Sequence, residues 1–397
     1  RMSEEIVKIG IIGIGNMGSS HAQRIANGDI QGMKLAAVAD RKEKRREWAK
    51  ENLPEDVKIY EDGEALLEDP EVNAVLIATP HYQHPELSIK AMEHHLHVIC
   101  EKPAGVYTKQ VREMIACADE HPELTFAMMF NQRTDCVYRK MKEIISSGRL
   151  GEIKRVNWII TNWYRSQAYY DSGDWRATWD GEGGGVLLNQ APHNLDLWQW
   201  IFGMPSKIRA FCHEGRYHDI PVEDDATLYA EYGNGASAVF ITTTGEYPGT
   251  NRLEISGDRG KIVIEHGKLH LYLLSEPERE YCFSAAGRPL PDVTETVYEC
   301  GQGVPGHELI LRNFADHVLH GEPLIAPGHD GLNELMISNA AYLSSWTDDW
   351  VTLPPDNARF LEFLEKAAAG SADRKKKSDC GAGNAAGGYL DRWKVQW

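Results

Sequence analysis

The chain has 397 residues, 42% of them hydrophobic and 25% charged, with a formal charge of −17. That length suggests two or three domains of ordinary globular composition, with ample apolar material for a core. An acidic balance of this size argues against nucleic acid as the main partner, because phosphate binding needs clustered Lys and Arg. No run of about 18 apolar residues exists, so no membrane span is expected. The first apolar stretch, Ile6 to Ile14, is short, broken by glycine and preceded by Glu4 and Glu5; it does not read as a signal peptide. Seven cysteines are scattered from Cys100 to Cys380 with no CxxC pair. That fits reduced thiols in a cytoplasm better than a disulfide framework.

In chain order, Val7–Ile12 reads as a strand, Ser19–Asn27 as a helix, Leu35–Ala39 as a second strand and Lys42–Glu51 as a charged helix. Ala74–Ala78 is a third strand, Pro85–His94 a helix, His97–Cys100 a fourth strand and Thr108–Glu120 a further helix. Short apolar strands alternating with helices predict a parallel sheet covered on both faces. The pattern changes after about Gln132. Val137–Ser147 is helical, and Gly151–Tyr164 reads as a strand with Val156, Trp158 and Ile160 on one face. Strand character follows at Ile208–Cys212, Ala226–Tyr232, Ala236–Thr244, Arg252–Ser256 and Lys261–Glu265, with a strong hairpin signal at Tyr232–Gly233–Asn234–Gly235. Two helices, His307–His320 and Gly328–Ser345, come next. Ala367–Gly388 has the composition of a flexible linker, and the aromatic segment Tyr389–Trp397 is expected to dock on a surface. The division is therefore 1–130, an α/β dinucleotide-binding Rossmann domain; 131–366, an α+β domain with a large, mostly antiparallel sheet for substrate and oligomer contacts; and 367–397, linker and tail.

Gly13–Ile14–Gly15–Asn16–Met17–Gly18 is a GxGxxG that follows a strand and opens a helix. The first glycine allows the tight turn, the second admits a pyrophosphate to the backbone, and the third lets helix and strand pack closely. Asp40 ends the second strand, 22 residues after Gly18, where a carboxylate accepts from ribose hydroxyls. It repels a 2′-phosphate and so favours NAD, while the neighbouring Arg41 leaves NADP open.

Ala78–Thr79–Pro80, then His84, then His97–Val98–Ile99–Cys100–Glu101–Lys102–Pro103 form a more specific run. It resembles the glucose–fructose oxidoreductase, inositol dehydrogenase and MocA family (Gfo/Idh/MocA), which carries an ATP…H segment after its third main strand and EKP at the end of a later one. Gly183–Gly184–Gly185 followed by His193 and Asp196 is similar to that family's GGG…HxxD. The resemblance covers the order of elements to about residue 350. It implies a homo-oligomer, a dimer or tetramer, joined through the open face of the second sheet. It also implies a cofactor site including Thr79, Pro80, His84 and Glu101, and a carbohydrate substrate.

Lys102 would sit at the carboxyl end of a parallel strand, where α/β sheets bind ligands. A desolvated Lys there can bind the hydroxyl being oxidised and relay its proton. Asn189, His193 and Asp196 share one face if their segment is helical, although Pro192 requires the helix to start or kink near Ala191. His193 is the best general acid/base candidate. In many relatives the position four before this His is Asp; Asn189 can orient the ring or a substrate hydroxyl but carries no charge, so either more of the proton transfer falls to Lys102 or the substrate differs from that of the inositol dehydrogenases. Tyr164, Arg176 and Trp179, from a segment crowded with aromatics, suit sugar rings and their hydroxyls; core packing is the plain alternative for each Trp. The three glycines permit close approach to a ligand or cofactor. His94, His95 and His97 do not converge, so no metal site is expected.

These residues predict NAD-dependent oxidation of a secondary alcohol on a sugar, glycoside or cyclic polyol. One alternative keeps its nicotinamide bound and uses transient oxidation for elimination, epimerisation or glycoside cleavage. Another is a non-catalytic dinucleotide sensor.

Overall fold

The computed structural model describes residues 6–371. The N-terminal elements are β1 (Val7–Ile12), α1 (Asn16–Ala26), β2 (Met33–Ala39), α2 (Glu43–Asn52), β3 (Lys58–Tyr60), α3 (Gly63–Leu67), β4 (Ala74–Ile77), α4 (Gln83–Glu93), β5 (His97–Cys100), α5 (Thr108–Glu120) and β6 (Phe126–Met128). The six strands form one parallel sheet in the order β3-β2-β1-β4-β5-β6. Central strands such as Ala74–Ile77 are buried throughout, because helices cover both faces. The crevice outside the carboxyl ends of β1 and β4, where chain direction across the sheet reverses, is the ligand position of such sheets.

A 3-10 turn, Asn131–Thr134, leads to α6 (Cys136–Ser146), β7 (Ile153–Ile160), α7 (Gln167–Asp171), α8 (Val186–Asn189), α9 (Pro192–Phe202), β8 (Lys207–Glu214), β9 (Glu223–Glu231), β10 (Ser237–Thr243), β11 (Asn251–Gly257), β12 (Gly260–Glu265), β13 (Lys268–Leu274), α10 (Glu278–Ser284) and β14 (Val293–Glu299). The chain then continues through α11 (Gly306–His320), α12 (Gly331–Thr347), β15 (Val351–Thr352) and α13 (Asn357–Ser371). Nine strands form a second sheet, β14-β13-β12-β11-β7-β10-β9-β8-β15, antiparallel except where β7 meets β10. The Tyr232–Ala236 turn closes the β9–β10 hairpin, with Gly235 at φ 87°.

Alternation gives this sheet two unlike faces. The row Trp158, Phe240, Leu228 and Ala210 runs across β7, β10, β9 and β8 and is fully buried. Trp198 of α9 stacks on Phe240 at 5.7 Å, and Tyr138 of α6 packs against Trp158 at 5.8 Å. The adjacent row, Ile159, Ile241, Thr227 and Phe211, lies on the other face; Ile159 is 37% and Phe211 50% exposed.

Two expectations change. Residues 367–371, read as the start of a linker, are the last turn of α13; Ser371 is buried and its hydroxyl accepts from Trp179 N at 3.1 Å. The rest of that segment and the aromatic C-terminus lie outside the described residues. Cys136 and Cys300, expected as separate reduced thiols, form a cross-link with Cα atoms 6.3 Å apart, because Cys136 opens α6 and Cys300 directly follows β14. No described helix is long and apolar enough to cross a membrane.

Candidate active site

The glycine turn divides its labour as its spacing suggests. Gly13 has φ 89°, and a Cβ there would meet Ala78 O at 2.7 Å. A Cβ on Gly18 would lie 1.8 Å from Gly13 O, so helix and turn close only on glycine. Gly15 faces open space and caps α1, whose first residues are Asn16 and Met17. An open backbone beside the positive end of a helix fits a pyrophosphate. Asp40 Oδ2 accepts from Ile14 N at 3.0 Å and Oδ1 from Lys42 N at 2.9 Å, tying the end of β2 to that turn. Arg41 is exposed. Arg46, not singled out in the sequence, donates to the carbonyls of Asp40 at 2.8 Å and Arg41 at 2.9 Å.

Thr79 and Pro80 follow β4 beside this turn. His84 takes a structural place instead of facing a ligand. Its ring nitrogens meet Pro103 O at 2.6 Å and Thr79 O at 2.7 Å, clasping the segments after β4 and β5. Glu101 also turns inward, because His21 on α1 meets its Oε1 at 2.8 Å in a buried pair. Burial opposes the Glu101 anion, but His21, His307 and Lys102 outweigh it and lower its pKa.

Lys102 is 7% exposed, just beyond β5, and its Nζ donates to Asn189 O at 2.5 Å. Burial brings its ammonium down to about 8, against the pull of Glu101, Glu334 and Glu182. The same residue perturbs His193, so the two lie within reach of each other's field. Burial, then Lys102 and His307, hold the His193 imidazole well below its usual range; it is neutral at physiological pH. Pro192 splits the expected helix. Asn189 ends α8, and His193 sits in the first turn of α9, with Pro192 at its start. Asp196 is taken by structure: its carboxylate holds Arg133 through Nε at 2.8 Å and Nη2 at 2.6 Å.

The sugar-facing candidates separate. Tyr164 is 50% exposed and packs edge-on to Tyr247 at 5.9 Å. Arg176 lies over the Tyr169 ring at 4.4 Å and donates to its hydroxyl at 2.6 Å. Trp179 is not brought to the site. It is buried against Tyr342 and Trp346, its Nε1 donating to Pro221 O at 2.8 Å, because α12 and α13 cover it. The glycine triplet likewise faces protein: Cβ atoms on Gly183, Gly184 and Gly185 would meet Val106 at 2.5 Å, Tyr342 at 2.3 Å and Glu223 O at 1.8 Å. It serves close packing and not ligand approach.

Sequence reasoning passed over several buried titratable groups. Glu182 accepts from Ala177 N at 2.6 Å and from Asn189 Nδ2, and its carbonyl meets His81 Nδ1 at 2.8 Å. His307 is held down to about 3 by burial and by His21. Glu334 is fully buried with no hydrogen-bond partner for either carboxyl oxygen among the described residues; burial and Asp196 raise it well above the carboxylate range. Only Glu182 had a signal, its place directly before the glycines. His95, set apart from a metal role, does meet His121 and Glu123, with ligand atoms within 4.8 Å of one another. That group is at the surface, before β5 and β6, at the end of the sheet away from Lys102.

A dinucleotide turn between β1 and α1, a buried lysine beyond β5 and a neutral histidine on α9 together define a nicotinamide-dependent oxidoreductase. Residues 7–129 match the oxidoreductase family with an NAD-binding Rossmann fold, and residues 138–263 match the GFO/IDH/MocA C-terminal domain. The chain belongs to the Gfo/Idh/MocA family, and its cofactor is NAD. It is similar to myo-inositol 2-dehydrogenase of Thermotoga maritima, 26% identical over 84% of this chain and 95% of that protein. The NAD⁺-dependent scyllo-inositol 2-dehydrogenase of Bacillus subtilis is 27% identical over 85% and 94%. Among solved structures, the WlbA dehydrogenase of Chromobacterium violaceum, in complex with NADH and UDP-GlcNAcA, gives a TM-score of 0.76 at 25% identity, covering 89% of this chain and 98% of that one.

Proposed function

We propose that this protein oxidises a secondary hydroxyl of a sugar, glycoside or cyclic polyol. NAD, held at Gly13, Gly15, Gly18 and Asp40, supplies the hydride acceptor. Lys102 takes the hydroxyl proton, His193 binds the reacting oxygen as a neutral imidazole, and Asn189 orients the ring. Tyr164 and Arg176 line the substrate side. The observation that carries this is Lys102, buried against Asn189 O and brought down to about 8, so that neutral and charged amine interconvert near neutral pH. The inositol substrates named for the two similar enzymes support the substrate class.

The test follows nicotinamide absorbance with NAD and NADP across inositols, sugars and glycosides. Sustained reduced-cofactor formation with NAD and a polyol is the expected result. A single burst equal to the enzyme present would instead mark recycling of a bound cofactor, and a flat trace with unchanged products would overturn catalysis.

The same reading makes the protein a homo-oligomer joined through the row Ile159, Ile241 and Phe211, an apolar strip that needs cover. Sedimentation at micromolar concentration is expected to give a dimer or tetramer that Phe211→Glu weakens. A monomer at that concentration overturns the assembly.

A further inference from the structure

We propose that Glu182 is a positioning residue of the active site: it fixes the Asn189 amide with Oδ1 turned to the substrate, where it accepts from a hydroxyl next to the one being oxidised. This rests on the function proposed above and narrows its substrate to vicinal diols.

Four observations meet at this residue. Glu182 is 1% exposed, yet it lies on a loop and not in a core element. Both its oxygens are committed, one to Ala177 N at 2.6 Å and the other to Asn189 Nδ2. A carboxylate only accepts, so the Asn189 amide has one orientation, with nitrogen toward Glu182. Oδ1 is then the end left over; Asn189 is half-buried and its Oδ1 has no partner among the described residues. The carbonyl of Asn189 itself receives Lys102 Nζ at 2.5 Å. One residue therefore presents two neighbouring acceptors, one already occupied by the amine that takes the proton. Adjacent hydroxyls of a polyol would then meet the Lys102 amine and Asn189 Oδ1 side by side.

Charge agrees with geometry. Among the catalytic trio, Lys102, His193 and Asn189, none is acidic. Glu182 is a buried carboxyl that the fields of both Lys102 and Arg176 reach. Burial comes first and raises its pKa above the usual carboxylate value, while Arg176, Ala177 N, Asn189 and Lys102 pull it back toward the anion. Glu182 in turn supports the charged form of Lys102.

The test is Glu182→Gln. A carboxamide has one acceptor and one donor end. Ala177 N takes the acceptor, so the amide nitrogen faces Asn189 and forces it to flip, presenting Nδ2 to the substrate. kcat/KM for a vicinal polyol is expected to fall on the order of 10²-fold, mostly through KM. NADH binding by fluorescence stays unchanged, and the acidic limb of the pH profile moves below 8, because a charge supporting the ammonium is gone. The swapped pair Glu182→Gln with Asn189→Asp restores an acceptor facing the substrate and is expected to recover activity to within about tenfold. A purely structural role would not be rescued by the swap. An analogue lacking the adjacent hydroxyl should be insensitive to Glu182→Gln. Wild-type kcat/KM and pH limb in Glu182→Gln, or no recovery in a folded, NADH-binding swap, overturns the proposal. If wild type turns over no polyol, the functional reading fails separately. The ¹⁵N titration of Lys102 Nζ in labelled protein then decides: a downward move in Glu182→Gln supports the link, and an unmoved titration overturns it.

Discussion

Lys102→Met is expected to lower kcat for polyol oxidation by about 10³-fold while NADH binding changes little, the scale of losing a positioned acid/base group. The amine is buried just beyond β5 and donates to Asn189 O, while the glycine turn lies between β1 and α1. The pH profile gives the sharper check. Oxidation releases a proton, so the active form is the neutral amine, whose fraction grows as pH rises. Burial brings Lys102 to about 8, so wild-type kcat/KM should climb through pH 7 to 9 and level above it. His193 cannot give that limb, since it is neutral throughout the range. Lys102→Arg should rescue nothing, because a guanidinium stays charged at every usable pH. Stopped-flow and steady-state absorbance from pH 6 to 10 would test this. A limb near 8 that persists in Lys102→Met would show that another group takes the proton.

Arg133→Met is expected to be the most damaging single change to stability. Arg133 and Asp196 are each 1% exposed and share two hydrogen bonds; Arg133 also reaches Asp330 at 2.7 Å and Ile325 O at 3.1 Å. Removing the guanidinium leaves the buried Asp196 carboxylate with Gln199 Nε2 at 3.0 Å and no opposite charge, a cost of about 3–5 kcal/mol. For chains of this order the melting temperature should fall on the order of 10 °C. Arg133→Met with Asp196→Leu should regain much of that, since two apolar groups leave no orphaned charge. Thermal unfolding followed by circular dichroism measures both. A drop under about 2 °C in the single variant would show that water or Gln199 satisfies Asp196 by itself.

The first sheet was legible because its central strands are continuous apolar runs bounded by helices with clear periods. The strands missed there, Lys58–Tyr60 and Phe126–Met128, are three residues each and too short to show any period. In the second sheet, alternation at Val156, Trp158 and Ile160 and the Gly-Asn-Gly turn marked the strands and a hairpin. Val293–Glu299 escaped because it is an edge strand exposed on both faces, with no apolar side to betray it. At the site, motif residues were legible by spacing, but their direction was not. His84, Glu101 and Asp196 bind protein, and Trp179 is core, because what each side chain meets comes from segments distant in sequence. Glu182 gave little away: its partners, Ala177 and Asn189, are near in sequence, but only the folded turn before α8 aims both at one carboxylate.

The edge position of β6 in the first sheet bears on the order in which the chain assembles. Residues 7–128 can complete a parallel sheet early in synthesis, from pairings mostly close in sequence. Its last strand, β6, is an open edge until Met128 N finds Ala326 O at 2.9 Å and Ala127 bridges Pro327. The second sheet is likewise incomplete until β10 and β11 emerge to flank β7. Such non-local pairing is slow to form. A ribosome-bound fragment ending before residue 326 would carry a folded nucleotide unit with an unprotected strand edge, the surface that chaperones bind and that seeds aggregation when synthesis stalls.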